Sequence, residues 1–207
     1  MAPPVFRFRG RAQEEFRIEG ERTFLRHPQA GDFAEWSQLR AASRAFLEPW
    51  EPRWPEDDLT RPAFRYRIRR YDADREAGLA LPLFVCQKAN GRLVGGVTLG
   101  TIRRGAAECC SLGYWMGHQY AGKGLMHDAL KSLLPHVFER MRLHRIEAAC
   151  IPDNARSQRL LENVGFRREG YLNGYLKING AWRDHLLYAL IAEDWRVARS
   201  KGSGSGG

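Results

Sequence analysis

The chain reads as a mixed α/β domain, and three features of its order carry that reading. Asn90-Gly91 and Asn179-Gly180 each stand between two strand-like segments, the pattern of antiparallel hairpins. Between those hairpins the apolar period lengthens from two to about 3.6 over a long stretch, which marks an amphipathic helix. A short apolar run then separates that helix from a second one, so strands and helices alternate.

Residues 21–26 alternate Thr23 and Leu25 against charged neighbours and predict a short strand. Asp32 is placed to cap a helix carrying Phe33, Trp36 and Leu39 at helical spacing. Residues 46–55 hold Pro49, Pro52 and Pro55, which forbid a regular helix, while Trp50 and Trp54 need something to pack on. That segment is either the wall of a binding site or a rigid aromatic plug on the core. Residues 61–75 return to helix, and 81–86 and 92–99 form the first hairpin. A further strand, 108–116, alternates Cys110, Leu112, Tyr114 and Met116 against the opposite face.

The long helix is read from Met126, Ala129, Leu130, Leu133, Leu134, Val137, Phe138 and Met141, which fall on one stripe. Pro135 inside it removes a backbone hydrogen bond and predicts a kink. Residues 145–151 form a buried strand and 154–164 a second helix, stopped by Gly165. Residues 170–191 make the last hairpin.

No Pro/Gly/Ser-rich linker interrupts the middle of the 207 residues, so one domain is expected over 21–196. Residues 1–20 form an extension before it, and 197–207 a Gly/Ser tail too polar to bury surface. No apolar run approaches the roughly 20 residues that span a bilayer, and the start lacks the apolar stretch of a signal peptide. A cytoplasmic protein without membrane contact is expected. Cys86, Cys109, Cys110 and Cys150 lie in apolar strands without a Cys-x-x-Cys pair, so they are expected to be reduced, structural thiols.

The formal net charge of +9 favours anionic partners: a phosphorylated co-substrate, acidic protein surface, or RNA. Arginines are scattered, and the blocks at 65–70 and 103–104 are short. Neither zinc-finger spacing nor an RNA-recognition aromatic motif accompanies them.

The segment Gln119-Tyr-Ala-Gly122-Lys-Gly124 runs straight into the long helix. A loop opening a helix has free N–H groups and the positive end of the dipole. Gly122 and Gly124 let a diphosphate approach the backbone, and Lys123 adds a charge. The pattern is neither a P-loop nor a dinucleotide fingerprint, because the glycine spacing and the flanking elements differ.

The second helix narrows the reading. Asn154-Ala-Arg-Ser157 precedes Leu161-Glu-Asn-Val-Gly-Phe166, and with the Gln-x-x-Gly-x-Gly loop this resembles the GNAT acetyltransferase superfamily. Residues 112–116, Leu-Gly-Tyr-Trp-Met, are similar to that family's splayed cofactor-binding strand. Gly122-Lys-Gly-Leu-Met126, His144-Arg-Ile146, Glu169-Gly-Tyr-Leu172 and Asn179-Gly-Ala-Trp-Arg-Asp-His185 are similar to the ribosomal-protein-alanine N-acetyltransferases. The resemblance spans roughly 21–196.

It implies a mostly antiparallel sheet with a splayed central strand pair and flanking helices, and acetyl-CoA as co-substrate. Trp115, Met116 and Gly117 would receive the pantetheine arm, with Met116 and Gly117 offering backbone groups. Gln119, Ala121, Gly122, Lys123, Gly124 and Leu125 would hold the diphosphate. Asn154 would hydrogen-bond the pantetheine, although as a helix-start residue it also suits a simple N-cap. Ser157, one turn on, would protonate the departing thiolate. A backbone N–H of the splayed strand would hold the oxyanion while a neutral amine attacks directly.

An α-amine with a pKa near 8 is about one-tenth neutral at pH 7, so a base helps without being essential. Glu108 and His118 are the candidates. Some relatives of this type carry a carboxylate just before the last Asn-Gly turn; Leu176 stands near that place here. No His-Glu-x-x-His spacing points to a metal, and His27, His127, His136 and His144 are scattered. His185 reads as a strand-pairing residue, and Trp182 and Asp184 either share that role or border an acceptor groove. The expected acceptor is a protein N-terminus, on a ribosomal protein. Two other readings stay open: a small-molecule amine such as a polyamine or aminoglycoside, and a basic ribosome- or RNA-associated scaffold.

Overall fold

The computed structural model describes residues 16–203. One sheet of eight strands forms its centre: β1 (Arg17–Glu19), β2 (Thr23–Arg26), β3 (Leu81–Gln87), β4 (Leu93–Arg103), β5 (Cys109–Met116), β6 (Arg145–Cys150), β7 (Arg167–Ile178) and β8 (Ala181–Ile191). Their spatial order is β1-β2-β3-β4-β5-β6-β8-β7, and every pairing is antiparallel except β5 with β6.

That parallel pair opens the sheet. β5 and β6 are paired only over Cys109–Ser111 and Arg145–Glu147. Beyond that point β5 still runs beside β4 as far as Met116, and β6 beside β8 as far as Cys150. Each strand therefore keeps one neighbour and loses the other, and a wedge opens between residues 112–116 and 148–150. The Gly117 N–H donates to the Val94 carbonyl at 2.9 Å, so by strand alternation the N–H groups of Tyr114 and Met116 point away from β4, into the wedge.

The helices are α1 (Phe33–Ala42), α2 (Arg44–Leu47), α3 (Arg61–Glu76), α4 (Leu125–Pro135), α5 (Ala155–Val164) and α6 (Ala192–Ser203). A large apolar core gathers Leu83, Val97, Leu130, Leu133, Ile146 and Leu161 among others, and a smaller one packs Trp36, Leu39, Phe64 and Ile68 against Phe24, Phe84 and Leu93. The stripe expected on the long helix is buried from Met126 to Phe138, and Met141 at its end is half-buried. Pro135 does more than bend it: α4 ends there, and a π-helical turn, His136–Arg140, continues the path with Met141 N–H donating to the His136 carbonyl at 2.8 Å. The last hairpin turns on Asn179 at φ 43° and Gly180 at φ 85°, the two left-handed residues of a type I′ turn.

The edges of the domain differ from the sequence-based boundaries. Arg17–Glu19, placed in the extension, adds an edge strand to β2. Part of the expected tail is the C-terminal end of α6, which runs through Ser203. Residues 1–15 of the extension and 204–207 of the tail lie outside the described residues. All four cysteines are buried and unbridged, and burial pushes the Cys86 thiol up to about 11 and the Cys110 thiol to about 12. No described helix is long and apolar enough to cross a membrane.

Candidate active site

A cavity of about 870 Å³ occupies the wedge. Its walls come from the end of β5, the loop into α4, the first turns of α5, and the segment 46–51. Trp115 stands on the β5 side, over Gly96 of β4: a methyl group at Gly96 would lie 2.4 Å from the indole nitrogen, so only glycine leaves room for the ring. Phe46, Leu47, Trp50 and Glu51 form the opposite wall, while Trp54 is buried beneath them. The proline-rich segment is thus both wall and plug.

Gly122 and Gly124 hold φ of +73° and +76°, a left-handed conformation that side chains resist. Gly124 is the N-cap of α4, and the first intrahelical bond runs from Asp128 N–H to its carbonyl at 3.0 Å. The N–H groups of Leu125, Met126 and His127 therefore have no helical acceptor. Arg22 reaches this loop from the neighbouring turn and donates to the Lys123 carbonyl at 2.9 Å. Asp128 locks the same turn by accepting from the N–H groups of Glu21, Arg22 and Thr23 and from the Thr23 hydroxyl, at 3.0, 3.1, 2.8 and 2.6 Å. Burial alone would raise this carboxyl; those donors, the Thr23 hydroxyl foremost, hold it below the usual range.

At the start of α5 the Asn154 side chain accepts from Ser157 N–H at 3.1 Å, so it is a true N-cap as well as a lining residue. Among the described residues its amide nitrogen has no hydrogen-bond partner. The Ser157 hydroxyl lies 2.6 Å from the Tyr114 hydroxyl, and both residues line the cavity. Desolvation pushes Tyr114 well above the ordinary phenol range, against the smaller opposite effect of its bond to Ser157. Tyr114 stays protonated at any physiological pH.

The cavity brings together Trp115, Met116, Ala121, Gly122, Gly124, Leu125, Asn154 and Ser157 of the residues expected from sequence. Gly117, Gln119 and Lys123 flank it without lining it; the Gly117 N–H is consumed by Val94, and Lys123 is exposed. Glu108 lies apart from the cavity. It sits in the turn before β5 at φ 37°, its carboxylate accepting from Gly105 N–H at 3.0 Å and Arg104 at 3.1 Å. The length of β5, about 25 Å of extended strand, separates it from Met116, and it does not line the cavity. His118 fares no better: its ring packs on Phe46 with centroids 5.0 Å apart, outside the lining. His185 is buried with Nδ1 3.0 Å from the Arg183 carbonyl of its own strand, outside the cavity lining.

Sequence reasoning missed Tyr114 as a site residue, and with it Arg22, Glu51, Arg156 and Arg159. For two of these a signal existed. Arg156, Arg159 and Asn163 recur at helical spacing on α5, one face of which looks into the cavity. Glu51 carried none, because its ion-pair partner Arg40 lies on α1 and nothing local marks the contact. It accepts from both Arg40 nitrogens at 2.8 and 2.6 Å and from Trp54 Nε1 at 2.8 Å.

The known proteins agree with this geometry. The acetyltransferase (GNAT) domain family matches residues 22–167. The chain belongs to the GNAT acetyltransferase family. This acetyltransferase is 33% identical over 183 residues to the [ribosomal protein uS5]-alanine N-acetyltransferase of Escherichia coli (strain K12), covering 88% of this chain and 94% of that one. It is similar in structure to Mycobacterium smegmatis RimJ in complex with CoA-disulfide, with a TM-score of 0.83 at 34% identity over 91% and 96% of the two chains. It also matches the ribosomal-protein-S5-alanine acetyltransferase from Vibrio fischeri, with a TM-score of 0.80 at 31% identity over 87% and 99%.

Acetyl-CoA is the co-substrate of this acetyltransferase, and the left-handed glycines, the unbonded helix-start N–H groups and the wedge between β5 and β6 suit a diphosphate and an extended pantetheine. Among the described residues no three His, Cys, Asp or Glu side chains are grouped to hold a metal ion.

Proposed function

We propose that this acetyltransferase acetylates the N-terminal α-amine of a ribosomal protein that starts with alanine. The observation that carries the reading is the wedge itself. Its lining runs from the loop into α4, suited to a diphosphate, past Ser157 to the 46–51 wall, where an acceptor amine has room to approach. The Asn179 N–H donates to the Glu51 carbonyl at 2.9 Å, which ties the last hairpin to the wall. Similarity to the two alanine acetyltransferases supports the choice of acceptor.

Acetyl-CoA supplies an activated acetyl group. In this reading Gly122, Gly124 and Leu125 bind its diphosphate, with Arg22, Arg156 and Arg159 adding positive charge around it. Asn154 orients the pantetheine through its amide nitrogen. The Met116 N–H points into the wedge, where it is suited to a developing oxyanion. Ser157 hands its proton to the leaving sulfur and is reprotonated, through solvent, by the proton that the attacking nitrogen sheds, while the protonated Tyr114 hydroxyl behind it sets the direction of the Ser157 O–H. Among the described residues Glu51 is the one carboxylate lining the cavity, and both its oxygens already accept hydrogen bonds. The amine therefore deprotonates to solvent before attack, which its own pKa near 8 permits.

Thiol release from acetyl-CoA with peptides beginning in Ala, Ser or Met tests this reading, with spermidine and kanamycin as small-molecule acceptors. Turnover on the Ala peptide, at least tenfold above the others in kcat/KM, is the expected result. Preference for a small amine would sink the proposed acceptor.

A further inference from the structure

Helix α3 carries more positive charge than the fold uses. Arg67 pairs with Asp58 at 2.5 Å and Arg75 with Asp72 at 3.0 Å, while Arg70 reaches Asp74 only at 3.9 Å. Arg61, Arg65 and Arg69 are exposed, and among the described residues none of the three has a carboxylate within ion-pair distance. Arg61 lies over the Phe33 ring at 4.5 Å, which fixes its stem and leaves its charge outward.

These three recur at every fourth position, so they form one strip on which each step advances about 6 Å along the axis. Tyr66, 61% exposed, borders the strip as the neighbour of Arg69 and Arg70. The adjacent face of the helix, about a quarter-turn away, is anchored in the smaller core by Phe64 and Ile68. Like charges four residues apart destabilise a helix, so the strip is not accounted for by helix stability. It also lies outside the lining of the acetyl-transfer cavity.

We propose that the outer face of α3 binds single-stranded RNA, with Arg61, Arg65 and Arg69 on successive phosphates and Tyr66 stacked on a base. A row of cations beside an exposed aromatic ring is the combination that holds a single strand without reading its sequence. The chain's net charge of +9 favours the same polyanion. This surface is independent of acetyl transfer.

Fluorescence anisotropy with a labelled uridine-rich RNA oligonucleotide, over a salt series, tests it on the full chain. Each phosphate contact contributes about 0.7 to the slope of log affinity against log salt. The Arg61→Gln/Arg65→Gln/Arg69→Gln variant is expected to lose about two units of slope. Tyr66→Ala is expected to weaken binding about five- to hundredfold with the slope unchanged. Peptide acetylation by both variants should match the wild type, which shows that they fold. No binding at low salt, an unchanged slope in the triple variant, or equally strong binding of polyglutamate would each overturn the proposal, the last pointing to an acidic protein surface instead.

Discussion

The hydroxyls of Tyr114 and Ser157 lie 2.6 Å apart, one on the diverging strand β5 and the other in the first turn of α5. The bond ties β5 to the start of α5, so in the proposed mechanism it couples the strand that would hold the oxyanion to the residue that would donate the proton. Ser157→Ala removes the donor and is expected to lower kcat by about a hundredfold or more, the usual worth of a positioned acid. Tyr114→Phe keeps the ring and deletes one neutral hydrogen bond, worth about 1 kcal/mol, so kcat should fall about fivefold. The KM for acetyl-CoA should move less than twofold in Tyr114→Phe. Steady-state kinetics on the Ala peptide checks both, and equal rates for Tyr114→Phe and wild type would remove Tyr114 from the mechanism.

The glycine cradle makes a different signature. At φ of +73° and +76°, an alanine at 122 or 124 costs about 1–2 kcal/mol of backbone strain. A Cβ at Gly122 meets nothing within 4 Å and one at Gly124 meets only Arg22 Nη1 at 3.4 Å, so packing adds little. The loop can relieve that strain by leaving the diphosphate-binding conformation. Gly122→Ala and Gly124→Ala should therefore raise the KM for acetyl-CoA about five- to thirtyfold with kcat within twofold. Calorimetric titration with CoA gives the same loss directly.

Most of this arrangement is local and is legible in the sequence. The cradle is a loop-to-helix signal, Asn154 and Ser157 are three residues apart on one helix, and both hairpins announce themselves by Asn-Gly. The rest depends on contacts between elements far apart in the chain. The distance of Glu108 from the cavity is not legible because a strand start looks the same whether it lies at the open or the closed end of a splay, and only the β5–β6 register tells the two apart. Glu51 stays hidden because its partner Arg40 lies on another element, and Tyr114 because its alternation marks only which face it occupies. Pro135 predicts a kink and delivers a π turn: a missing N–H announces that the helix must change, not how.

Asp128 should act on stability more than on rate. Its carboxylate accepts four hydrogen bonds from the turn 21–23, and bonds to a charged group are worth about 1.5–3 kcal/mol. Asp128→Asn is expected to destabilise the protein by about 2 kcal/mol at pH 7, a fall of about 4–8 °C in Tm. The folded carboxyl is held below its unfolded value, so its contribution is complete above about pH 4 and is lost as pH falls through the folded value. The gap between wild type and Asp128→Asn in urea melts should stay constant from pH 7 to about 5 and narrow below about 4. A gap that widens on acidification would contradict this account.

Arg40 and Glu51 decide whether the cavity's carboxylate is structural or chemical. The guanidinium is sandwiched between Trp54 at 4.0 Å and Trp115 at 4.9 Å, with a side chain only 8% exposed. Glu51→Ala strands that charge and unbonds the Trp54 N–H, so a loss of about 3 kcal/mol is expected. An Arg40→Met/Glu51→Leu double variant removes both charges and should recover to within about 1 kcal/mol of the wild type. Glu51→Gln separates structure from chemistry: it keeps an acceptor for Arg40 and Trp54 but cannot take a proton. If the amine deprotonates to solvent, Glu51→Gln keeps kcat within about tenfold, and log kcat/KM still climbs with unit slope to a plateau near the amine's pKa of about 8. A hundredfold loss of kcat with the ascending limb abolished would instead make Glu51 the general base.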